Sequence, residues 1–130
     1  MDQKNFSKPL SLAKVQVTDA FWKKEMELVR KEVIPYQWEA LNDRVKDAAP
    51  SFCMRNYRRA GEVEKERKAK GDKFVQIKYP LDTFETLPKD GKMDGRFYGF
   101  LFQDTDFTKW VEAVAYSLTQ HPDPELEKTA

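Results

Sequence analysis

The 130-residue sequence contains one cysteine, Cys53, and one histidine, His121. A lone cysteine cannot form an internal disulfide, and a metal site would need several further ligands. There is also no glycine-rich phosphate loop, no H-E-x-x-H motif, no paired-cysteine spacing and no G-x-S-x-G turn. The chain therefore carries none of the familiar local motifs of catalysis, and carboxylates remain as its candidates for chemistry.

The sequence also lacks an excess of charge and a long apolar run. Its 23 basic residues nearly balance its 22 acidic residues, so its net field does not favour nucleic acid or an anionic membrane. It has no apolar stretch of about 18 residues, and its first ten residues contain no signal-peptide core. We therefore predict a cytoplasmic protein with no nucleic-acid and no membrane partner.

The first third of the chain shows two kinds of apolar pattern. Residues 12–18 alternate apolar and polar side chains, which predicts a short β-strand that needs a sheet to join. Residues 20–34 repeat apolar side chains at helical spacing after Asp19, a good N-cap residue. We expect Pro35 to kink or interrupt this helix, which should end near Asn42.

The middle of the chain is more polar. Residues 45–61 have a weak helical pattern that ends at a glycine, which predicts a short helix. The following residues, 62–95, begin with a run of charged side chains that has no apolar face. We predict that this segment is an exposed insertion with little regular structure.

The last third of the chain is rich in aromatic residues. A helix with a wide apolar face is predicted to begin at Asp104 or Thr105 and to end near His121. A further short helix should follow, with Asp123 as its N-cap and Pro124 at its first position. Because such a short helix has little to pack against, we expect the chain to be part of a larger helical assembly.

Two carboxylates in this region are the best candidates for contact with a ligand. Asp104 and Asp106 lie beside Phe102, Gln103 and Trp110, and this mixture of acids, an amide and rings suits the hydroxyl groups and the apolar face of a sugar. N-capping of the helix by an aspartate is compatible with this role. The same residues leave open a helical binding protein that uses its aromatic run as a partner surface.

Several segments, in sequence order, resemble glycoside hydrolase family 127, the β-L-arabinofuranosidases. The family has close relatives of the FWK and IPYQW sequences, of an asparagine-to-glycine step, of an aromatic-glycine turn, and of FQDSDVYKWLEA followed by DPEL. The corresponding segments here are residues 21–23, 34–38, 56–61, 97–99, 102–118 and 122–126.

This resemblance implies a mainly α fold that comprises the first helices of an (α/α)6 barrel. Residues 1–18 would form an N-terminal extension and a short β-strand that joins a β-sandwich in the full-length protein. Residues 19–130 would form the N-terminal part of the catalytic domain, with 62–95 as a charged insertion. We also expect an isolated chain to expose apolar surface, at Trp22, Phe102, Trp110 and Leu118 among others.

The resemblance also implies a function for the parent protein. It would be a retaining hydrolase that releases non-reducing-end β-L-arabinofuranosyl or related sugars from an arabinose-containing oligosaccharide or glycoconjugate, and the parent could be a homodimer. In the family, a zinc-bound cysteine is the nucleophile and a glutamate is the acid, and both lie far beyond residue 130. We therefore expect no catalytic residue and no bound zinc in this chain, which would be inactive alone. Phe102, Gln103, Asp104, Asp106 and Trp110 remain its candidate substrate-binding residues.

Overall fold

The computed structural model describes residues 8–75, 95–100 and 102–130. These residues are mainly helical, as predicted, and no helix among them is both long and apolar enough to cross a bilayer. A π-helical turn, Val29–Val33, joins the first two helices, and 3₁₀ turns lie at Leu12–Lys14 and Gly71–Lys73. The α-helices are α1 (Ala20–Leu28), α2 (Ile34–Leu41), α3 (Cys53–Lys70), α4 (Asp104–Gln120) and α5 (Pro124–Thr129).

The chain divides into two compact units. The first comprises Met1–Ile34 and Val111–Ala130, and the second comprises Pro35–Trp110. The first unit therefore contains α1, α5 and the C-terminal part of α4. The second unit contains α3, most of α2 and the first turns of α4.

The boundaries of the first helices follow from their sequence. Asp19 caps α1, because its Oδ1 accepts a hydrogen bond of 3.0 Å from the backbone N–H of Trp22. Pro35 has no N–H, and its ring crowds the carbonyl group one turn earlier. Proline is tolerated in the first turn of a helix, where it lies in α2, but the preceding helix cannot continue across it with regular α-helical hydrogen bonds. The chain widens into the π-helical turn directly before α2, which confirms the predicted interruption.

The predicted strand is not formed in the described part of the chain. Residues 15–18 have no regular structure, and a 3₁₀ turn precedes them. An isolated strand leaves its backbone groups without partners, so the alternating pattern alone is not sufficient. The carbonyl group of Leu12 instead accepts a hydrogen bond of 2.8 Å from Nε2 of Gln120.

Helix α3 is longer than the sequence predicted. It continues through Gly61, so the prediction of an irregular charged segment is wrong for residues 62–70. Acidic and basic side chains one turn apart stabilise this part without an apolar face, as where Glu64 accepts hydrogen bonds of 2.8 and 2.9 Å from Arg67. Residues 76–94 of the same predicted insertion lie outside the described residues.

The core of the second unit is built around Trp110. Its ring is 2% exposed and stacks on Trp38 with a centroid distance of 4.6 Å. The predicted exposure of Trp110 is therefore wrong, whereas that of Trp22 and Phe102 is confirmed, since each is 60% exposed. Leu118 is half-buried.

A charged cluster characterises the first unit. Glu27 accepts two hydrogen bonds from Arg30 and lies 2.7 Å from Nζ of Lys31. These contacts, chiefly the hydrogen bonds with Arg30, lower the pKa of Glu27 to about 2. The exposed His121 has its Nε2 3.6 Å from Oε1 of Glu27.

Replacing Trp110 by alanine should lower the free energy of unfolding by about 3–5 kcal/mol, because the change leaves a cavity in the core. Trp22→Ala is the matched control and should cost no more than about 0.5 kcal/mol, because this ring is largely in solvent. Denaturant titration followed by circular dichroism measures both values. Equal losses would contradict the packing role of Trp110.

Candidate functional site

A cavity of about 260 Å³ lies in the second unit, between α3 and the segment that leads into α4. Its wall is largely apolar and includes two phenylalanine rings, with a few polar groups among them. The lining residues are Cys53, Asn56, Tyr57, Ala60, Phe97, Phe100, Gln103 and Asp104. Two of these, Gln103 and Asp104, belong to the set predicted from the sequence.

Side chains of α3 form hydrogen bonds with the backbone of the loop before α4, residues 95–100. Asn56 donates from Nδ2 to the carbonyl oxygen of Tyr98 at 2.7 Å and accepts from its N–H at 3.3 Å. Arg55 donates to the carbonyl oxygen of Arg96 at 2.9 Å, and its guanidinium lies 4.7 Å from the ring centroid of Tyr98. Side chains of α3 thus supply hydrogen-bond partners to the backbone of this loop.

Gln103 holds the same loop from the other side. Its Nε2 donates to the carbonyl oxygen of Tyr98 at 2.8 Å, and its Oε1 accepts from the N–H of Phe100 at 3.0 Å. The side chain is buried, so these bonds satisfy polar atoms that would otherwise be costly to bury. The structure therefore favours a positioning role for Gln103 over the predicted direct contact with a sugar.

Gly99 makes this arrangement possible. Its φ is +88°, a conformation that residues with a Cβ rarely adopt, and a Cβ there would lie less than 3.0 Å from three side-chain atoms of Gln103. The glycine of the aromatic-glycine turn is thus required by the backbone and by its neighbour together.

Cys53 is one of the residues that line the cavity. Its Sγ donates to the carbonyl oxygen of Gln103 at 3.1 Å, and the side chain is 1% exposed. Burial raises the pKa of this thiol, while a hydrogen bond from the backbone of Phe107 acts in the opposite direction. Cys53 is therefore an inert packing residue in this structure.

Asp104 is the one carboxylate among the described residues that line the cavity. Its side chain is exposed, and it stands at the start of α4, where the helix dipole favours a negative charge. Tyr57 donates from its hydroxyl group to the carbonyl oxygen of Asp104 at 3.2 Å. This geometry leaves Asp104 accessible to the hydroxyl groups of a ligand.

The other predicted site residues do not line the cavity. Asp106 is exposed and lies 3.5 Å from Nζ of Lys109. Phe102 is exposed and contacts Phe100 with a centroid distance of 5.7 Å, so it extends the aromatic surface outside the cavity. Trp110 is buried in the core, where it has a packing role.

Six lining residues were absent from the predicted site: Cys53, Asn56, Tyr57 and Ala60 on α3, and Phe97 and Phe100 on the loop. The polar middle of the chain separates the α3 residues from Asp104 in the sequence. The signal for four of the six was present, because residues 56–61 and 97–99 are among the segments that resemble the family. Their proximity to one another depends on the tertiary fold.

Comparison with known proteins identifies the family. The family model described as the catalytic domain of GH127 β-L-arabinofuranosidases matches residues 14–130. The chain belongs to glycoside hydrolase family 127. The match extends over the loop, both helices that form the cavity, and the first unit from residue 14 onward.

Two known proteins are similar to this chain in sequence or structure. A non-reducing end β-L-arabinofuranosidase from Bifidobacterium longum subsp. longum is 33% identical over 113 residues, which cover 87% of this chain and 15% of the relative. A crystal structure of a GH127 β-L-arabinofuranosidase from Geobacillus stearothermophilus T6 is 44% identical with a TM-score of 0.56, and the match covers 88% of this chain and 14% of that one. The chain thus spans only about one seventh of the length of either relative.

Replacing Gly99 by alanine should lower the free energy of unfolding by about 1–3 kcal/mol, because the new Cβ requires a strained backbone and displaces Gln103. Gly61→Ala is the control, since no other residue lies within 4 Å of a Cβ at that position in α3. This control should raise stability by about 0.5–1 kcal/mol. Denaturant titration distinguishes the two, and a stabilised Gly99→Ala variant would contradict the loop geometry.

The buried thiol gives a prediction for alkaline pH. Because the pKa of Cys53 is raised above its ordinary value of 9.0, the unfolded chain should ionise first, and folding stability should fall as pH rises past that value. Unfolding curves between about pH 8 and pH 10, compared with those of Cys53→Ala, measure this contribution. The same slope in both proteins would show that Cys53 does not cause it.

Proposed function

We propose that this chain is part of a larger GH127 glycoside hydrolase and supplies the first helices of its (α/α)6 barrel. The observation that supports this most strongly is the match of residues 14–130 to the family's catalytic domain. In the larger protein, residues 12–18 would form the strand predicted from their alternating pattern. They would do so by joining a β-sandwich that the remainder of the larger protein supplies.

The proposed activity is release of non-reducing-end β-L-arabinofuranosyl or related sugars, with retention, from an arabinose-containing oligosaccharide or glycoconjugate. Both relatives carry the name β-L-arabinofuranosidase. The proposed parent is a cytoplasmic enzyme and a homodimer, and the 130 residues alone are inactive.

In this proposal, the cavity on the second unit is a subsite for one sugar ring. Its volume of about 260 Å³ is below that of pockets for drug-sized ligands, which suits a smaller molecule. Phe97 and Phe100 offer rings for the apolar face of a sugar, and the carboxylate of Asp104 would accept hydrogen bonds from hydroxyl groups. The hydrogen bonds of Asn56 and Gln103 hold the backbone of the loop that carries these two rings.

The described part of this chain does not fit the zinc centre that the family resemblance implies. No three His, Cys, Asp or Glu side chains come together among the residues that the structure describes. A cysteine ligand must be a thiolate, whereas Cys53 is buried and its pKa is raised. We propose that the remainder of the protein supplies zinc, nucleophile and acid, so the contribution of this chain is binding and positioning.

A second candidate function is binding without catalysis. Phe21, Trp22 and Tyr116 expose more than half of their surface, and Trp22 and Tyr116 line an apolar groove of the first unit. Such surface suits contact with a protein partner. The next experiment distinguishes this function from the proposed hydrolase.

The test is to express the chain alone and together with the coding sequence that follows Ala130, and to assay both with an aryl β-L-arabinofuranoside. The longer protein should release L-arabinose, whereas the 130-residue chain should not. In the longer protein, Asp104→Asn should raise KM by about tenfold through loss of charge-assisted hydrogen bonds. Asp106→Asn is the control and should have little effect.

Two results would contradict the proposal. One is a longer protein that folds but does not act on β-L-arabinofuranosides. The other is a stop codon with no GH127 sequence downstream, together with a cooperatively melting monomer of 130 residues, which would favour the binding protein.

A further inference from the structure

Arg59, on α3, connects the cavity loop to the charged part of its own helix. Its Nε donates to the carbonyl oxygen of Gly95 at 2.6 Å. Its Nη1 donates to Oε1 of Glu66 at 2.9 Å and to Oε2 of Glu62 at 3.1 Å. The Arg59 side chain is 15% exposed, so these contacts are partly shielded from water.

The chemistry of this contact is specific to arginine and glycine. A guanidinium is planar and carries donors on separate nitrogens, so Arg59 bonds a carbonyl group with one nitrogen and carboxylates with another, which a lysine ammonium cannot reproduce. A Cβ at Gly95 would lie 3.2 Å from Nη2 of Arg59, which is tighter than ordinary contact. The absence of a side chain at Gly95 thus allows the close approach.

The loop that begins at Gly95 forms one wall of the cavity. Phe97 and Phe100 line the cavity from this loop, and the backbone of Tyr98 between them is bonded to Asn56. Arg59 therefore fixes the start of a segment whose later residues shape the candidate sugar subsite.

We propose that Glu66, assisted by Glu62, is a positioning residue that acts through Arg59 to hold the loop of residues 95–100 in place. The charged part of α3 then has a role in shaping the cavity besides being a solvated surface. The hydrogen bond to Arg59 is also the main cause of the lowered pKa of Glu66, which keeps this carboxylate ionised. The part of this proposal that concerns sugar binding rests on the proposed function, whereas the part that concerns the loop does not.

Glu64 provides a matched control on the same helix. Glu66 and Glu64 each pair with one arginine, each lies 3.6 Å from a lysine four residues later, and their side chains are 38% and 44% exposed. The difference is that Arg67, the partner of Glu64, forms its described hydrogen bonds only with Glu64, whereas Arg59 also bonds the loop. Glu66→Gln and Glu64→Gln therefore make the same change in charge and helix content.

The first experiment measures hydrogen–deuterium exchange in the 130-residue chain. In Glu66→Gln, the amides of Tyr98 and Phe100 should exchange roughly two- to fivefold faster than in the original chain, as expected for loss of one partly exposed ion pair. Glu64→Gln should leave these amides unchanged. Equal exchange in both variants would overturn the proposal.

Two further measurements exclude a general loss of structure. Arg59→Lys should accelerate exchange in the loop at least as much as Glu66→Gln, whereas Arg67→Lys should not. Salt at about 1 M should accelerate loop exchange more in the original chain than in Glu66→Gln, because the variant keeps only the pair of Arg59 with Glu62 for the salt to screen. Faster exchange throughout α3 and α4 in Glu66→Gln would show a structural role only and would contradict the proposal.

The final experiment concerns sugar binding and uses the longer GH127 protein. Glu66→Gln should raise KM about two- to fivefold with kcat nearly unchanged, and Glu64→Gln should change neither constant. If the loop responds but KM does not, the link between the loop and the sugar is wrong. If no hydrolase activity exists at all, the proposed function fails while the exchange result still decides the role of Glu66.

Discussion

The cavity depends on one carbonyl group, that of Tyr98, which accepts hydrogen bonds from the side-chain amides of Asn56 at 2.7 Å and Gln103 at 2.8 Å. A carbonyl oxygen has two lone pairs, so both donors can be satisfied at once. One donor comes from α3 and the other from the turn that starts α4, and the loop between them has no strand partner among the described residues. These two bonds hold the backbone at Tyr98 in place, and they therefore restrict where Phe97 and Phe100, which lie close to Tyr98 in the sequence, can place their rings.

This arrangement explains which sequence predictions succeeded. Helix boundaries set by local chemistry were correct, since Asp19 and Asp123 accept hydrogen bonds from the backbone of α1 and α5 as expected for N-caps. The strand at residues 12–18 was not formed, because a strand depends on a neighbour that the sequence pattern does not supply. The helix through residues 62–70 was missed, because hydrophobic periodicity detects apolar faces, while this segment is supported by ion pairs.

The candidate site was only partly predictable for a related reason. Composition identified Gln103 and Asp104 as polar residues beside aromatic rings, but it could not distinguish an amide that contacts a ligand from one that bonds the backbone. The structure separates the two residues by burial, since Gln103 is enclosed and bonds the loop backbone, while Asp104 is exposed. Trp110 illustrates the same limit, because a ring at helical spacing fits either a core or a binding surface, and only its stacking on Trp38 places it in the core.

The two glycines of the loop have an evolutionary consequence. Gly95 and Gly99 are each opposed by one long polar side chain, Arg59 in the first case and Gln103 in the second. A larger residue at Gly95 becomes acceptable if Arg59 is shortened or turned away, so this pair should change together, whereas the positive φ at Gly99 disfavours any other residue even beside a shorter side chain. Drift within GH127 chains that share this loop is therefore constrained at a pair of positions in the first case and at the glycine itself in the second.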